Sequence, residues 1–218
     1  MILENLTKSF PADRKETEGK LMYNFTLQIP TRIHFGKDTI SYLSELKEYG
    51  DKVLLVYGGG SIKKNGIYDT AMQLLKDAAL KVFELSGVEP NPRIETVRKG
   101  VAICKEEGID MVLAIGGGST IDCSKVIAAG AKYDGDAWDL VLDATKIKAA
   151  LPIFDVLTLS ATGTEMDPFA VISDLTKNEK WGTGSPYMVP TMSILNPEYT
   201  YSVSKKQTAA GTADMMSH

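Results

Sequence analysis

Val112-Leu113-Ala114-Ile115-Gly116-Gly117-Gly118-Ser119-Thr120-Ile121-Asp122-Cys123-Ser124-Lys125 decides the reading of this chain. It starts as a short apolar run of strand type. It breaks at three glycines, and Thr120, Ile121, Val126, Ile127 and Ala128 then follow at helical spacing. A strand that turns through glycines into a helix brings backbone N–H groups to one point. The helix start carries partial positive charge and unpaired donors, which suits a phosphate. Glycines let a diphosphate approach the backbone with no Cβ in the way. Taken alone, the same pattern also describes a tight turn between strand and helix.

The segments on either side repeat the alternation. Residues 23–29 alternate apolar and polar as a half-buried strand, and 33–36 form a second extended piece. Asp38 is expected to cap a helix to about Tyr49, with Ile40, Leu43 and Leu46 on one face. Lys52–Tyr57 reads as a buried strand closed by Gly58-Gly59-Gly60-Ser61. A helix at 69–79 buries Ala71, Met72, Leu74, Leu75 and Ala78. Lys81–Leu85 is a strand, and 86–92 a loop with Gly87, Pro90 and Pro92. Ile94–Glu107 is a helix with Val97, Val101, Ala102 and Cys104 inside, ended by Gly108. Residues 154–159 make one more buried strand. Strands alternating with helices of about a dozen residues predict an α/β fold with a mostly parallel sheet and helices on both faces. Ligands bind such sheets at the carboxyl ends of the strands. Both glycine triplets and the loop 160–165 fall at that edge.

The ends of the chain differ from its middle. Residues 1–21 are polar and charged, and read as a disordered leader or start extension ahead of a domain at 22–203. After Glu165, short strands at 171–173, 181–184 and 192–195 with hairpin-like turns are expected. A helix begins near Ser204 and continues to His218, so 204–218 reads as the start of a truncated second domain.

Composition excludes several classes. With 44% hydrophobic and 24% charged residues the chain is ordinary for a globular protein. Net charge is -4 with no long basic run, which argues against nucleic acid. No apolar run approaches the ~20 residues of a membrane span, and no secretory segment appears. Cys104 and Cys123 lack metal-type spacing and read as reduced, buried thiols of a cytoplasmic protein.

Three groups of residues could carry chemistry. The turn at Gly59, Gly60 and Ser61 stands where a dinucleotide fold meets the adenosine ribose. It holds no acid and has Lys63 and Lys64 nearby, which favours NADP over NAD. The alternative is a solvated turn, and neither glycine turn matches the Gly-x-Gly-x-x-Gly fingerprint. Thr158-Leu159-Ser160-Ala161-Thr162-Gly163-Thr164-Glu165 is rich in hydroxyls that could donate to phosphate or to a nicotinamide amide, or cap the next segment. Asp214 and His218 stand i, i+4 on the last helix and could share a metal, although such a pair is also common as a surface pair.

Together these motifs resemble the iron-containing alcohol dehydrogenase family, and within it the NADPH-type butanol dehydrogenases and related aldehyde reductases. The carriers are Thr31-Arg32-Ile33-His34-Phe35-Gly36, residues 57–66, Gly87-Val88-Glu89-Pro90-Asn91-Pro92, and residues 116–125, 157–165 and 214–218. The resemblance implies a dehydroquinate-synthase-like dinucleotide-binding domain followed by the first helix of an all-helical domain, and a homodimer in the full-length form. It implies that Gly117, Gly118 and Ser119 hold the cofactor diphosphate. Asp122, Thr158 and Thr162 line its path, and Lys180 approaches it. Asp214 and His218 are the first two ligands of a divalent iron or zinc. Ser160 stands where many members have proline. The implied activity is metal-assisted hydride transfer between NAD(P) and small primary alcohols or aldehydes such as butanol and butanal. A polyol or glycerol dehydrogenase of the same superfamily, or a truncated, non-catalytic nucleotide-binding module that needs a partner, are the alternatives.

Overall fold

The computed structural model describes residues 29–218. The leader expected at 1–21 and residues 23–28 of the first expected strand lie outside them. The strands are β1 (Arg32–Phe35), β2 (Lys52–Tyr57), β3 (Lys81–Leu85), β4 (Met111–Gly116), β5 (Ile153–Leu157), β6 (Phe169–Asp174), β7 (Glu179–Gly184) and β8 (Met192–Leu195). The helices are α1 (Ser61–Lys64), α2 (Ile67–Asp77), α3 (Ile94–Glu107), α4 (Gly118–Gly130), α5 (Ala137–Leu142) and α6 (Lys205–Ser217).

Six strands form one sheet in the order β1-β8-β5-β4-β2-β3, and each neighbouring pair is parallel. The central strands β2 and β4 are apolar and almost wholly buried, as a sheet covered on both faces requires. Period-two alternation divides β2 between two cores. Leu54 and Val56 pack with Val97, Val126, Ile127 and Trp138 under α3, α4 and α5. Val53, Leu55 and Tyr57 pack with Leu43, Leu46, Ala71 and Leu75 on the opposite face. The chain leaves β2 for β3 on one side and leaves β4 for β5 on the other. Adjacent strands whose connections diverge form a topological switch point, where open α/β sheets take their ligands.

Four expectations are corrected. Asp38 makes no side-chain cap. It adopts a left-handed conformation (φ 61°) ahead of a 3-10 helix, Thr39–Tyr49. The apolar positions Ile40, Leu43 and Leu46 recur every three residues, which matches 3.0 residues per turn better than 3.6. Ala102 is exposed, and Ile103 packs against the core instead. Residues 192–195 do not join a hairpin: β8 inserts between β1 and β5 of the parallel sheet. The hairpin is made by β6 and β7 alone, in antiparallel register. The short helices α1 and α5 were not expected. Cys104 and Cys123 are free and buried as expected. Burial pushes the Cys104 thiol up to about 12 and raises that of Cys123 as well, so neither is poised to react.

Candidate active site

The second glycine turn ends β4 and opens α4. Gly117, the residue before α4, offers no side-chain cap, which leaves first-turn N–H groups for a ligand. A Cβ on Gly118 would meet Thr162 Oγ1 at 3.2 Å, and one on Gly117 would meet Leu159 Cβ at 3.3 Å. The first glycine turn lies beside it: a Cβ on Gly58 would come 3.9 Å from Thr120 Oγ1.

The loop after β5 and the hairpin β6-β7 form the opposite wall. They are held to α4 by Lys125, whose side chain is fully buried. Its ammonium lies 2.8 Å from Thr164 Oγ1, from the carbonyl oxygens of Asp167 and Phe169, and from Asp167 Oδ1. Thr164 donates in turn to Asp122 Oδ1 at 2.7 Å, and the Val171 N–H donates to Asp122 Oδ2 at 2.9 Å. Burial raises the Asp122 pKa, while the bonds from Thr164 and Val171 pull it back down. Both carboxylate oxygens are therefore engaged, one joining α4 to the loop after β5 and the other joining it to the hairpin. The Thr162 hydroxyl oxygen accepts from the Thr164 N–H at 3.3 Å, which leaves its own hydrogen to donate.

From β7, Lys180 donates to Asn91 Oδ1 at 2.7 Å, and the Asn91 N–H donates to Ser119 Oγ at 3.3 Å. Asn91 is left-handed (φ 57°), a conformation that asparagine tolerates better than most residues. Beyond this chain α6 closes the far end. Ser204 caps it by accepting from the Gln207 N–H. Asp214 Oδ1 and His218 Nε2 lie 3.8 Å apart.

These elements enclose a cleft of about 770 Å³. Of the residues singled out from sequence, Gly118, Ser119, Asp122, Thr162, Lys180, Asp214 and His218 line it. Gly117 and Thr158 are not among the lining residues, and Thr158 has its N–H on the Gly116 carbonyl at 2.9 Å. Gly59, Gly60 and Ser61 belong to the neighbouring turn and not to the cleft wall. Sequence reasoning gave no role of their own to Lys125, Asp167 or Asn91, and took Thr164 only as one hydroxyl of the loop at 158–165. The signal for Lys125 was present: a lysine inside the apolar run of α4 must find acceptors if that helix is buried.

The two donors on α6 are a carboxylate oxygen and an imidazole nitrogen, types that suit divalent iron or zinc. Among the described residues, no group of three or more His, Cys, Asp or Glu is gathered as a metal cluster. No helix among them is long and apolar enough to cross a membrane.

A family profile described as iron-containing alcohol dehydrogenase matches residues 30–197. NADH-dependent butanol dehydrogenase B of Clostridium acetobutylicum is 61% identical over 198 residues, covering 90% of this chain and 51% of that protein. The NADPH-dependent aldehyde reductase YqhD of Escherichia coli is 42% identical over 200 residues, covering 90% and 51%. The crystal structure of NADH-dependent butanol dehydrogenase A from Thermotoga maritima superposes with a TM-score of 0.88 at 47% identity, covering 90% of this chain and 50% of that one. The chain thus spans about half the length of the curated relatives it matches.

Proposed function

The chain belongs to the iron-containing alcohol dehydrogenase family, and from that premise we propose that it serves a metal-dependent, NAD(P)-linked alcohol dehydrogenase or aldehyde reductase acting on small primary alcohols such as butanol. In this reading residues 22–203 are the dinucleotide-binding domain and 204–218 begin a helical metal-binding domain. The observation that carries it is one cleft in which the open start of α4, the Lys180 ammonium and the Asp214–His218 pair face each other.

The residues present fit the cofactor, and Asp214 and His218 supply two donors of the kind a divalent ion takes, without a third His, Cys, Asp or Glu beside them among the described residues. The α4 N–H groups at Gly118 and Ser119, with the helix dipole behind them, receive the diphosphate where a side chain on Gly118 would intrude. Thr162 donates its free hydroxyl hydrogen. Lys180, oriented by Asn91, presents positive charge along the cofactor's path. Phe169, Val171 and Pro92 supply apolar wall that excludes water. Asp214 and His218 hold the ion from one helix face. When bound, the nicotinamide carries the hydride and the divalent ion supplies Lewis acidity toward the substrate oxygen.

The cofactor preference rests on the first glycine turn. No carboxylate stands at Gly60 or Ser61 to repel a 2′-phosphate, which supports acceptance of NADPH. Lys63 weakens that preference, because its ammonium is held over the rings of Tyr57 and Tyr68 at 5.1 and 4.3 Å from their centroids. Glu84 accepts from both tyrosine hydroxyls beside it. With Lys63 engaged and relatives named as NADH-dependent, we expect NADH to be used as well.

The free thiols support a reducing cytoplasmic setting. A homodimer of the full-length form is part of the same reading, while nucleic acid and membrane are not. A second reading, nucleotide binding without turnover, is favoured by the gathering of no more than two candidate metal donors among the described residues. Butanal reduction with NADPH and NADH, with and without added iron or zinc, tests the proposal. Absence of metal-dependent turnover on any small alcohol or aldehyde by the full-length protein overturns it.

A further inference from the structure

Asp155 stands on β5, fully buried, on the sheet face that carries Leu157, which packs with Ala114 of β4 and Ile121 of α4. Its register partner on β8 is Ser193. Ser193 Oγ lies 2.6 Å from Asp155 Oδ2 and 2.7 Å from the carbonyl oxygen of Glu165. Asp155 Oδ1 has no hydrogen-bond partner among the described residues.

Counting hydrogens decides the protonation state. A serine hydroxyl has one hydrogen, and a backbone carbonyl can only accept. For both short contacts to be hydrogen bonds, Ser193 donates to Glu165 and Asp155 donates to Ser193. An ionised Asp155 would leave one of the two contacts without a hydrogen. It would also leave a charged Oδ1 without any donor in the interior, a costly arrangement. The charged groups around it are Glu165 on the loop and Lys125 on α4. Its sheet neighbours Ala114 and Ser193 carry no charge. Lys125 is already committed to Thr164, Asp167 and Phe169. Burial raises the Asp155 pKa well above the usual carboxylate range.

We propose that Asp155 is a positioning residue: as a neutral acid it donates to Ser193, Ser193 donates to the Glu165 carbonyl, and the chain of two protons ties the loop bearing Thr162, Thr164 and Asp167 to the sheet. Its functional consequence rests on the reading of that loop as part of the dinucleotide site. Loss of the Asp155 proton at alkaline pH turns the Ser193 hydrogen toward the carboxylate and strips Glu165 of its donor. The loop then loosens, and cofactor affinity falls through a group outside the cleft.

The test compares the full-length protein with Asp155→Asn and Ser193→Ala. Infrared spectra at neutral pH are expected to contain a protonated-carboxyl C=O band that Asp155→Asn removes. NADH affinity of the parent is expected to fall at alkaline pH. Asp155→Asn, whose amide N–H donates at every pH, should bind NADH within about twofold of the parent at neutral pH and lose the alkaline fall. Ser193→Ala should bind about tenfold more weakly than the parent at neutral pH, the size of one buried hydrogen bond, and the gap should close at alkaline pH, where the parent loses the same bond. The proposal is overturned by absence of the band, by an alkaline fall that persists in Asp155→Asn, or by unchanged affinity in Ser193→Ala. If the parent binds no NADH, the functional reading fails on its own. The band and faster hydrogen exchange of the 164–167 amides in Ser193→Ala, expected if the clasp exists, then decide the positioning role.

Discussion

At the scale of the residue, small differences in atom placement set what each position tolerates. Valine at Gly118 would put a branched side chain where a single Cβ already comes within 3.2 Å of Thr162 Oγ1. Gly118→Val should weaken NAD(P)H binding by at least about tenfold while leaving the helix formed. Isothermal titration with unchanged affinity would remove the diphosphate from this turn. Lys125 acts on the same wall from inside. Lys125→Met keeps the stem but removes the donor shared by Thr164, the Asp167 carboxylate and the carbonyls of Asp167 and Phe169, and should cost about 3 kcal/mol of stability, as losing one side of a largely buried charged network does. Equilibrium urea unfolding with an unchanged midpoint would contradict it. Cofactor choice is best probed at Ser61. Gly60 has φ 94°, so a side chain there adds strain of its own, whereas Ser61 opens α1. Ser61→Asp should move the ratio of kcat/KM values from NADPH toward NADH, because a carboxylate repels a 2′-phosphate yet accepts ribose hydroxyls. An unaltered ratio would place the adenosine ribose away from this turn.

Elements were legible where their signals were local. The runs of β2 and β4, the glycines after them and the helix Ile94–Glu107 closed by Gly108 could be read directly, because each element carries its own pattern and its own stop. β8 was not legible as part of the main sheet: four residues between Pro190 and Pro197 have no period that separates a parallel insertion from a hairpin arm. The 3-10 helix was hidden because a spacing of three also fits an α-helical stripe. The site divides in the same way. Gly118 and Ser119 announce themselves, whereas the Lys125–Asp167 and Asn91–Lys180 contacts join residues 42 and 89 positions apart and exist only once the hairpin folds back. Helix α6 offers a test at this scale. Gly211 is its buried residue, and a Cβ there would meet the Ser160 carbonyl oxygen at 2.8 Å. In an isolated helix, alanine is better than glycine by about 1 kcal/mol. Here Gly211→Ala should push α6 off the loop after β5 and displace Asp214 and His218 together. Metal affinity, read by chelator competition, should drop roughly tenfold with helix content retained. Unchanged affinity would mean that this close approach does not position the pair.

At the scale of the whole molecule, the sheet and the proposed metal pair differ in how completely they are built. Every central strand is covered on both faces, so the 218-residue chain has the core it needs to fold and to hold the start of α4 in place. The Asp214–His218 pair has a thinner support. The Asp214 and His218 side chains are about half exposed on a helix docked through one glycine, and they supply two donors where iron or zinc takes about four. Phe35, Tyr201 and Met216 are 72%, 79% and 84% exposed, which leaves apolar surface beside the same edge. The longer relatives have about as much chain again from which donors and a cover could come. The 218-residue chain studied alone should therefore bind NAD(P)H measurably, bind iron or zinc weakly, reduce butanal slowly if at all, and tend to aggregate. Calorimetric titration with each metal, beside an assay of the same chain joined to the remaining half of a butanol dehydrogenase, separates the outcomes. Tight stoichiometric metal and full turnover in the short chain would mean that donors are completed between copies. His34 would then be the first residue to replace, because it is the other of the two histidines in the sequence and it lies on β1 at the sheet edge.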